Sequence, residues 1–177
     1  MRPGGGKDKG GNYEREIGYK VSLWLSDGAR KDVLCRTVGS GAQFTSSKQL
    51  SGIPGDLRSQ HPLADKFCER FVIECKHWKD LDILSFLLEK GELYEALKKV
   101  TKEGTDLKRL WMLIARQNRK PDLLFIPVEA LAACHYTYPI KLRFHAIFDG
   151  RVYMYVLDEF LSAITPEKLL GRLEERV

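Results

Sequence analysis

Glu74 and Lys76 stand two residues apart at the end of Phe71 Val72 Ile73 Glu74 Cys75 Lys76, a run that is apolar and β-branched until the acid and the base appear. Side chains alternate faces along a strand, so Glu74 and Lys76 point one way with Val72, and Ile73 and Cys75 point the other. Charged strand ends are common on protein surfaces, and the pair alone carries little weight. Upstream lies Asp56, in Ile53 Pro54 Gly55 Asp56 Leu57, with a turn-like segment from Arg58 to Lys66 between the two acids. If residues near Asp56 and the run from Cys68 to Lys76 are neighbouring antiparallel strands, both carboxylates converge at one edge of a sheet. Two carboxylates and a backbone carbonyl, here that of Cys75, make a hard oxygen site suited to Mg²⁺ or Mn²⁺. Lys76 beside them would orient or activate an attacking water and neutralise charge building on a phosphate.

The elements that must hold these groups begin with a helix. Asn12 suits its N-cap, and Tyr13 to Leu25 carries apolar residues at Tyr13, Ile17, Val21, Trp24 and Leu25, with Glu14 and Glu16 in the first turn where the helix dipole favours anions. Asp27 and Gly28 make a turn, and Asp32 to Val38 reads as a strand running into Gly39 Ser40 Gly41. Glycines around a serine let amides and a hydroxyl approach a phosphate closely, although a glycine turn leaving a strand needs no ligand. Gln43 to Pro54 is polar and reads as a loop.

Taken in order, Tyr13 Glu14 Arg15 Glu16, Arg36 Thr37 Val38 Gly39 Ser40 Gly41, Gly55 Asp56 and Ile73 Glu74 Cys75 Lys76 resemble the PD-(D/E)XK nuclease superfamily. Within it the pattern is most similar to the archaeal-type Holliday junction resolvases, which also occur in phages. Gly55 stands where the literal motif has proline, and the similarity spans roughly residues 13 to 78. The resemblance implies a restriction-endonuclease-like α/β core and a Mg²⁺-dependent DNA endonuclease, with Mn²⁺ able to substitute. It implies hydrolysis that leaves 5′-phosphate and 3′-hydroxyl ends. Glu14, Asp56, Glu74 and Lys76 would be catalytic. Asp56, Glu74 and the Cys75 carbonyl would hold the metal, with Glu14 helping through a metal or its water. Arg15, Arg36, Gly39, Ser40 and Gly41 would contact DNA. A junction resolvase cuts symmetrically, so the expected form is a homodimer acting on branched DNA.

Two loops, 42–55 and 57–69, are longer than in compact members of that family. They sit where DNA would pass, and leave open a phage or restriction-type endonuclease acting on duplex, nicked or flap DNA. A non-catalytic DNA-binding module on the same fold is the other class of function, and it would bind without regard to metal. Phosphate chemistry alone does not separate DNA from RNA.

Beyond the core, Trp78 offers stacking on a base or sugar, or simple packing at a strand end. Leu81 to Leu88 is a buried helix or a loop packed on a partner, and it adds apolar surface to the case for a dimer. Glu92 to Lys102 has a helical stripe, with Lys98, Lys99 and Lys102 near its expected C-terminal end, where lysine satisfies the dipole. Leu110 to Ala115 and Leu123 to Val128 read as a hairpin whose turn holds Gln117, a candidate polar residue next to the site. Glu129 to His135 suits a short helix. Lys141 to Phe148 and Arg151 to Leu157 flank Asp149 Gly150, a strong hairpin signal. Asp158 to Ala163 and Pro166 to Arg176 close the chain as helices.

The expected architecture is α/β, a central mixed sheet flanked by helices with an extra C-terminal hairpin and helices. Residues 1–11 read as a flexible, glycine-rich basic tail, and residues 12–177 as a single domain with a catalytic core over about 13–128 and an extension over about 129–177. A net charge of +5 favours a polyanionic partner. The cysteines Cys35, Cys68, Cys75 and Cys134 have no paired spacing, and the histidines are equally scattered, which indicates neither a disulfide scaffold nor a zinc site. A reducing, cytoplasmic setting is the simplest. No apolar run approaches the ~20 residues that span a bilayer.

Overall fold

Helix α1 runs over Gly5–Leu25 in the computed structural model, which describes residues 5–37, 54–132, 145–148 and 151–171. Tyr13, Ile17, Val21 and Leu25 recur at every fourth position and are buried against the sheet. The helix starts well before the expected cap at Asn12, so Gly5 to Gly11 form its first turns and not a tail. Each glycine there costs about 1 kcal/mol relative to alanine in helix propensity. Packing accounts for one of them: Gly11 is buried, and a Cβ on it would meet the Arg36 guanidinium at 3.3 Å.

Of the strand expected over Asp32 to Val38, Leu34–Arg36 (β1) is regular. It pairs antiparallel with Leu57–Ser59 (β2), with Arg36 opposite Leu57, as a small sheet of its own. Strand β2 joins no ladder with the run from Cys68; the Asp56 region meets that run instead through the backbone bond from the Asp56 N–H to the Ile73 carbonyl. A 3₁₀ turn over Pro62–Ala64 and helix α2 over Asp65–Arg70 follow, and α2 takes up Cys68 that the sequence suggested for a strand. Strand β3 is Phe71–Trp78.

The central sheet has the order β3-β4-β5-β7-β6, where β4 is Leu110–Gln117, β5 is Asp122–Pro127, β6 is His145–Phe148 and β7 is Val152–Val156. Strands β3 and β4 are parallel, and the remaining pairs are antiparallel. Parallel neighbours need a crossover, supplied by α3 (Ile83–Leu87) and α4 (Gly91–Leu107). Both expected hairpins form. The residues Asp149 and Gly150, the turn Gly39 Ser40 Gly41, most of loop 42–55, Cys134 and His135 lie outside the described residues.

Alternation along the strands divides the core into two layers. Ile73, Cys75, Ile114, Leu124 and Tyr155 pack with α1, α2 and the closing helices α6 (Leu157–Ala163) and α7 (Pro166–Leu170). Val72, Trp111, Leu113, Phe125 and Met154 pack on the other face under α3 and α4. The fold is thus α/β, a mixed sheet between helical layers with a restriction-endonuclease-like core. Helix α5 (Val128–Ala132) leads out of β5 towards the C-terminal hairpin. That hairpin continues the same sheet, since β7 pairs directly with β5, and the Trp24 indole N–H donates to the Ile164 carbonyl at 2.7 Å. Among the described residues no helix is long and apolar enough to cross a membrane.

Candidate active site

Strand β3 lies at the edge of the central sheet, with β4 on one side. On its other side docks the segment Gly55 Asp56. The Asp56 N–H donates to the Ile73 carbonyl at 2.7 Å, the Cys75 N–H donates to Asp56 Oδ2 at 2.8 Å, and the Thr37 N–H donates to the Asp56 carbonyl at 2.8 Å. Gly55 has φ +76°, and a Cβ there would lie 2.6 Å from the Ile73 carbonyl oxygen. Only glycine allows so close an approach at that backbone angle. Because Ile73 C=O and Cys75 N–H both face Asp56, strand geometry puts the Cys75 carbonyl on this same edge.

Glu74 and Lys76 share the face that looks towards α4, as their spacing predicts. Lys76 Nζ is 2.5 Å from Glu74 Oε1 and 3.9 Å from Asp56 Oδ2. Lys99, from α4, reaches the same Glu74 Oε1 at 3.0 Å. Asp56 and Glu74 are both buried, at 4% and 3% exposure. Burial, and next the charge of Glu74, push the Asp56 carboxyl up to about 7, only partly opposed by Lys76 and the Cys75 N–H. Burial also disfavours the Glu74 carboxylate, but Lys76 and Lys99 outweigh it and hold that group below its ordinary range. Lys76 loses solvation too, yet Glu74 and Asp56 keep it charged above the usual lysine range. The cluster therefore holds one carboxylate neutralised by lysine and a second that retains a proton towards neutral pH.

Glu14 is buried on α1 and ion-paired with Arg36 of β1. Its charge adds to the upward push on Asp56, so it belongs to the same neighbourhood. Arg15, the next residue, is exposed and donates to Asn12 Oδ1 at 2.9 Å, and the helical turn carries it away from the carboxylates. Gln117 ends β4 opposite Trp78, on the face of Glu74 and Lys76. Trp78 packs against the core layer under α4. The Cys75 thiol is buried and its pKa is raised well above the usual range by desolvation, so its side chain is a core group and its backbone faces the site.

The donor set fits a hard divalent cation: two carboxylates and a backbone carbonyl on one edge, with Asp56 carrying a proton that a cation would replace. Among the described residues no group of three or more His, Cys, Asp or Glu comes together at metal-binding distance. The two carboxylates would be joined by the carbonyl and water, and Glu14 is ion-paired with Arg36 beside them.

Three residues escaped the sequence reading. Lys99 was visible only as one of three helix lysines. Its signal is its place beside Val100 and three residues after Ala96, at the border of the stripe that α4 buries. Glu103, one turn further, accepts from the Gly55 N–H at 3.3 Å. Asp122 is buried at the start of β5 and accepts from Tyr13 Oη, Lys20 Nζ and Arg116, whose guanidinium also pairs with Glu16. This second cluster clamps α1 to the sheet.

Compared with known proteins, residues 5–171 match a family model described as Phage putative PDDEXK endonuclease. No curated protein and no solved structure matches the chain.

Proposed function

The chain belongs to this phage PDDEXK endonuclease family, and from that premise we propose that it is a Mg²⁺-dependent endodeoxyribonuclease whose site is Asp56, Glu74, Lys76 and the Cys75 carbonyl. The observation that carries the reading is the convergence at the edge of β3: Asp56 Oδ2 on the Cys75 N–H at 2.8 Å, and Lys76 Nζ 2.5 Å from Glu74 and 3.9 Å from Asp56. Asp56, Glu74 and the Cys75 carbonyl hold the cation, and Mn²⁺ substitutes for Mg²⁺. When bound, the cation supplies Lewis-acid polarisation of the phosphate and makes the attacking water more acidic. Lys76, firmly protonated against its carboxylates, positions that water and offsets charge developing on the phosphate. Glu14 orients the Arg36 guanidinium, which binds a neighbouring phosphate through its forked donors. Arg15 and the turn Gly39 Ser40 Gly41 contact the DNA backbone, and Gln117 and Trp78 flank the carboxylate cluster.

The preferred substrate in this reading is branched DNA, cut as a pair of symmetric nicks by a homodimer. The exposed leucines of α3, Leu84 and Leu87, with Leu88 after it, support a partner surface. The family match favours a phage endonuclease on duplex, nicked or flap DNA equally well.

Labelled four-way junction, linear duplex, flap and single-stranded DNA, each with Mg²⁺ or EDTA, test the proposal. Glu74→Ala and Lys76→Ala should abolish cleavage while DNA affinity is largely kept, and undiminished cutting by either variant removes the mechanism. Symmetric paired nicks in the junction select the resolvase, and cutting spread over the other DNAs selects the general endonuclease. A monomer mass by light scattering at micromolar concentration counts against the resolvase.

A further inference from the structure

One cation at the site comes from outside the strand motif. The Lys99 side chain is 64% exposed, yet its Nζ lies 3.0 Å from Glu74 Oε1, the oxygen that also takes Lys76 Nζ at 2.5 Å. Two ammonium groups thus share one oxygen of a carboxylate that is itself buried. The arrangement is built from the helix: Ala96 and Val100 of α4 are buried against the sheet, and Glu103, one turn beyond Lys99, holds the Gly55 N–H. The helix dipole does not account for this lysine. Helix α4 continues to Leu107 and has no basic residue in its last turn, so Lys99 lies mid-helix and not at the C-terminal end that the sequence suggested.

An exposed lysine that bends inward onto a buried carboxylate gives up solvation and rotamer freedom, and it does so where the family's chemistry requires a dication. Resting on the reading of Asp56 and Glu74 as the metal pair, we propose that Lys99 is a positioning residue that exchanges partners. It occupies Glu74 Oε1 while the metal is absent, and it turns to a phosphate of the bound DNA strand once a divalent cation takes that oxygen. Ammonium and cation compete for one oxygen, so removing the ammonium strengthens metal binding in the absence of DNA. The same removal weakens DNA binding only when the cation is present. Metal and DNA are thereby coupled through a single side chain.

The test uses the full chain with Lys99→Met and Lys99→Arg. Mn²⁺ binding without DNA, read by calorimetry, should be roughly twofold to fivefold tighter for Lys99→Met, the scale expected from losing one partly exposed ion pair. DNA affinity is then followed against salt, with Ca²⁺ and with EDTA. With Ca²⁺ the slope of log affinity against log salt should fall in magnitude by about 0.9 for Lys99→Met, one phosphate contact, and stay unchanged for Lys99→Arg. With EDTA the slope should be the same for all three proteins. A Lys99→Met protein with unchanged or weaker Mn²⁺ binding overturns the proposal. So does one with an unaltered slope in Ca²⁺, and a lowered melting temperature alone would show Lys99 to be a helix anchor. If the unaltered protein binds no Mn²⁺, the metal-pair reading falls as well. If it binds Mn²⁺ and loses it in Glu74→Ala, that reading stands whatever Lys99 does.

Discussion

Asp56 is asked to be both buried and charged, and it resolves the conflict with a proton. Its carboxyl is raised from the ordinary aspartate value to about 7, first by burial and then by Glu74. The folded state therefore binds that proton more tightly than the unfolded chain. In EDTA this contribution to stability is complete below about pH 4 and is lost as pH rises through 7, a fall on the order of a few kcal/mol. Urea midpoints between pH 4 and pH 8 should show the decline, and Asp56→Asn should flatten it. Glu74 has the opposite sign, because its lowered carboxyl loses its stabilising ion pairs only on the acid side. Metal affinity should climb with pH until Asp56 is ionised and then level off, which a Mn²⁺ titration would read. The neighbouring glycine gives a second prediction. Gly55→Ala puts a methyl 2.6 Å from the Ile73 oxygen at a positive φ, and should cost about 2–4 kcal/mol in urea denaturation. Glu74 and Lys76 were legible because strand alternation fixes their common face. The contact that requires Gly55 was not, since nothing local tells that residue 55 meets residue 73.

Helix α1 owes its position to Asp122 as much as to its apolar stripe. Tyr13 Oη donates to Asp122 at 3.0 Å, Lys20 Nζ at 2.8 Å and Arg116 Nε at 2.7 Å. Asp122→Ala leaves these groups without their shared acceptor and should destabilise the fold by about 3–5 kcal/mol in chemical denaturation. Tyr13→Phe removes one neutral donor and should cost about 1 kcal/mol. The helix itself was readable from Tyr13, Ile17, Val21 and Leu25. Its first turns were not, because glycine-rich sequence has poor intrinsic propensity and Gly11 is selected by the Arg36 side chain that rests on it. Asp122 hid for a related reason: an acid at the head of a strand looks like a turn residue until the helix more than a hundred positions earlier is laid over it.

Across the whole molecule, the hairpins and alternating runs were legible and the strand order was not. Local spacing pairs β4 with β5 and β6 with β7, while the insertion of β7 beside β5 is a long-range choice. That insertion makes the C-terminal segment part of the core: Tyr155, Leu157, Phe160, Ile164 and Leu169 are buried with Tyr13 and Ile17. A chain ending at residue 132 should therefore fail to unfold cooperatively by circular dichroism, and a sharp two-state melt would contradict the shared core. The net charge of +5 suits a DNA partner at this scale.

The clasp between the first helix and the far end of the chain also sets an order of events during synthesis. Tyr13 waits 109 residues for Asp122, and Trp24 waits 140 for Ile164. Contacts closed over such separations form late and slowly. Helix α1, which bears Glu14, is therefore synthesised well before Asp122 and Ile164, the groups that fasten it, and the site cannot take its final geometry until both have been made.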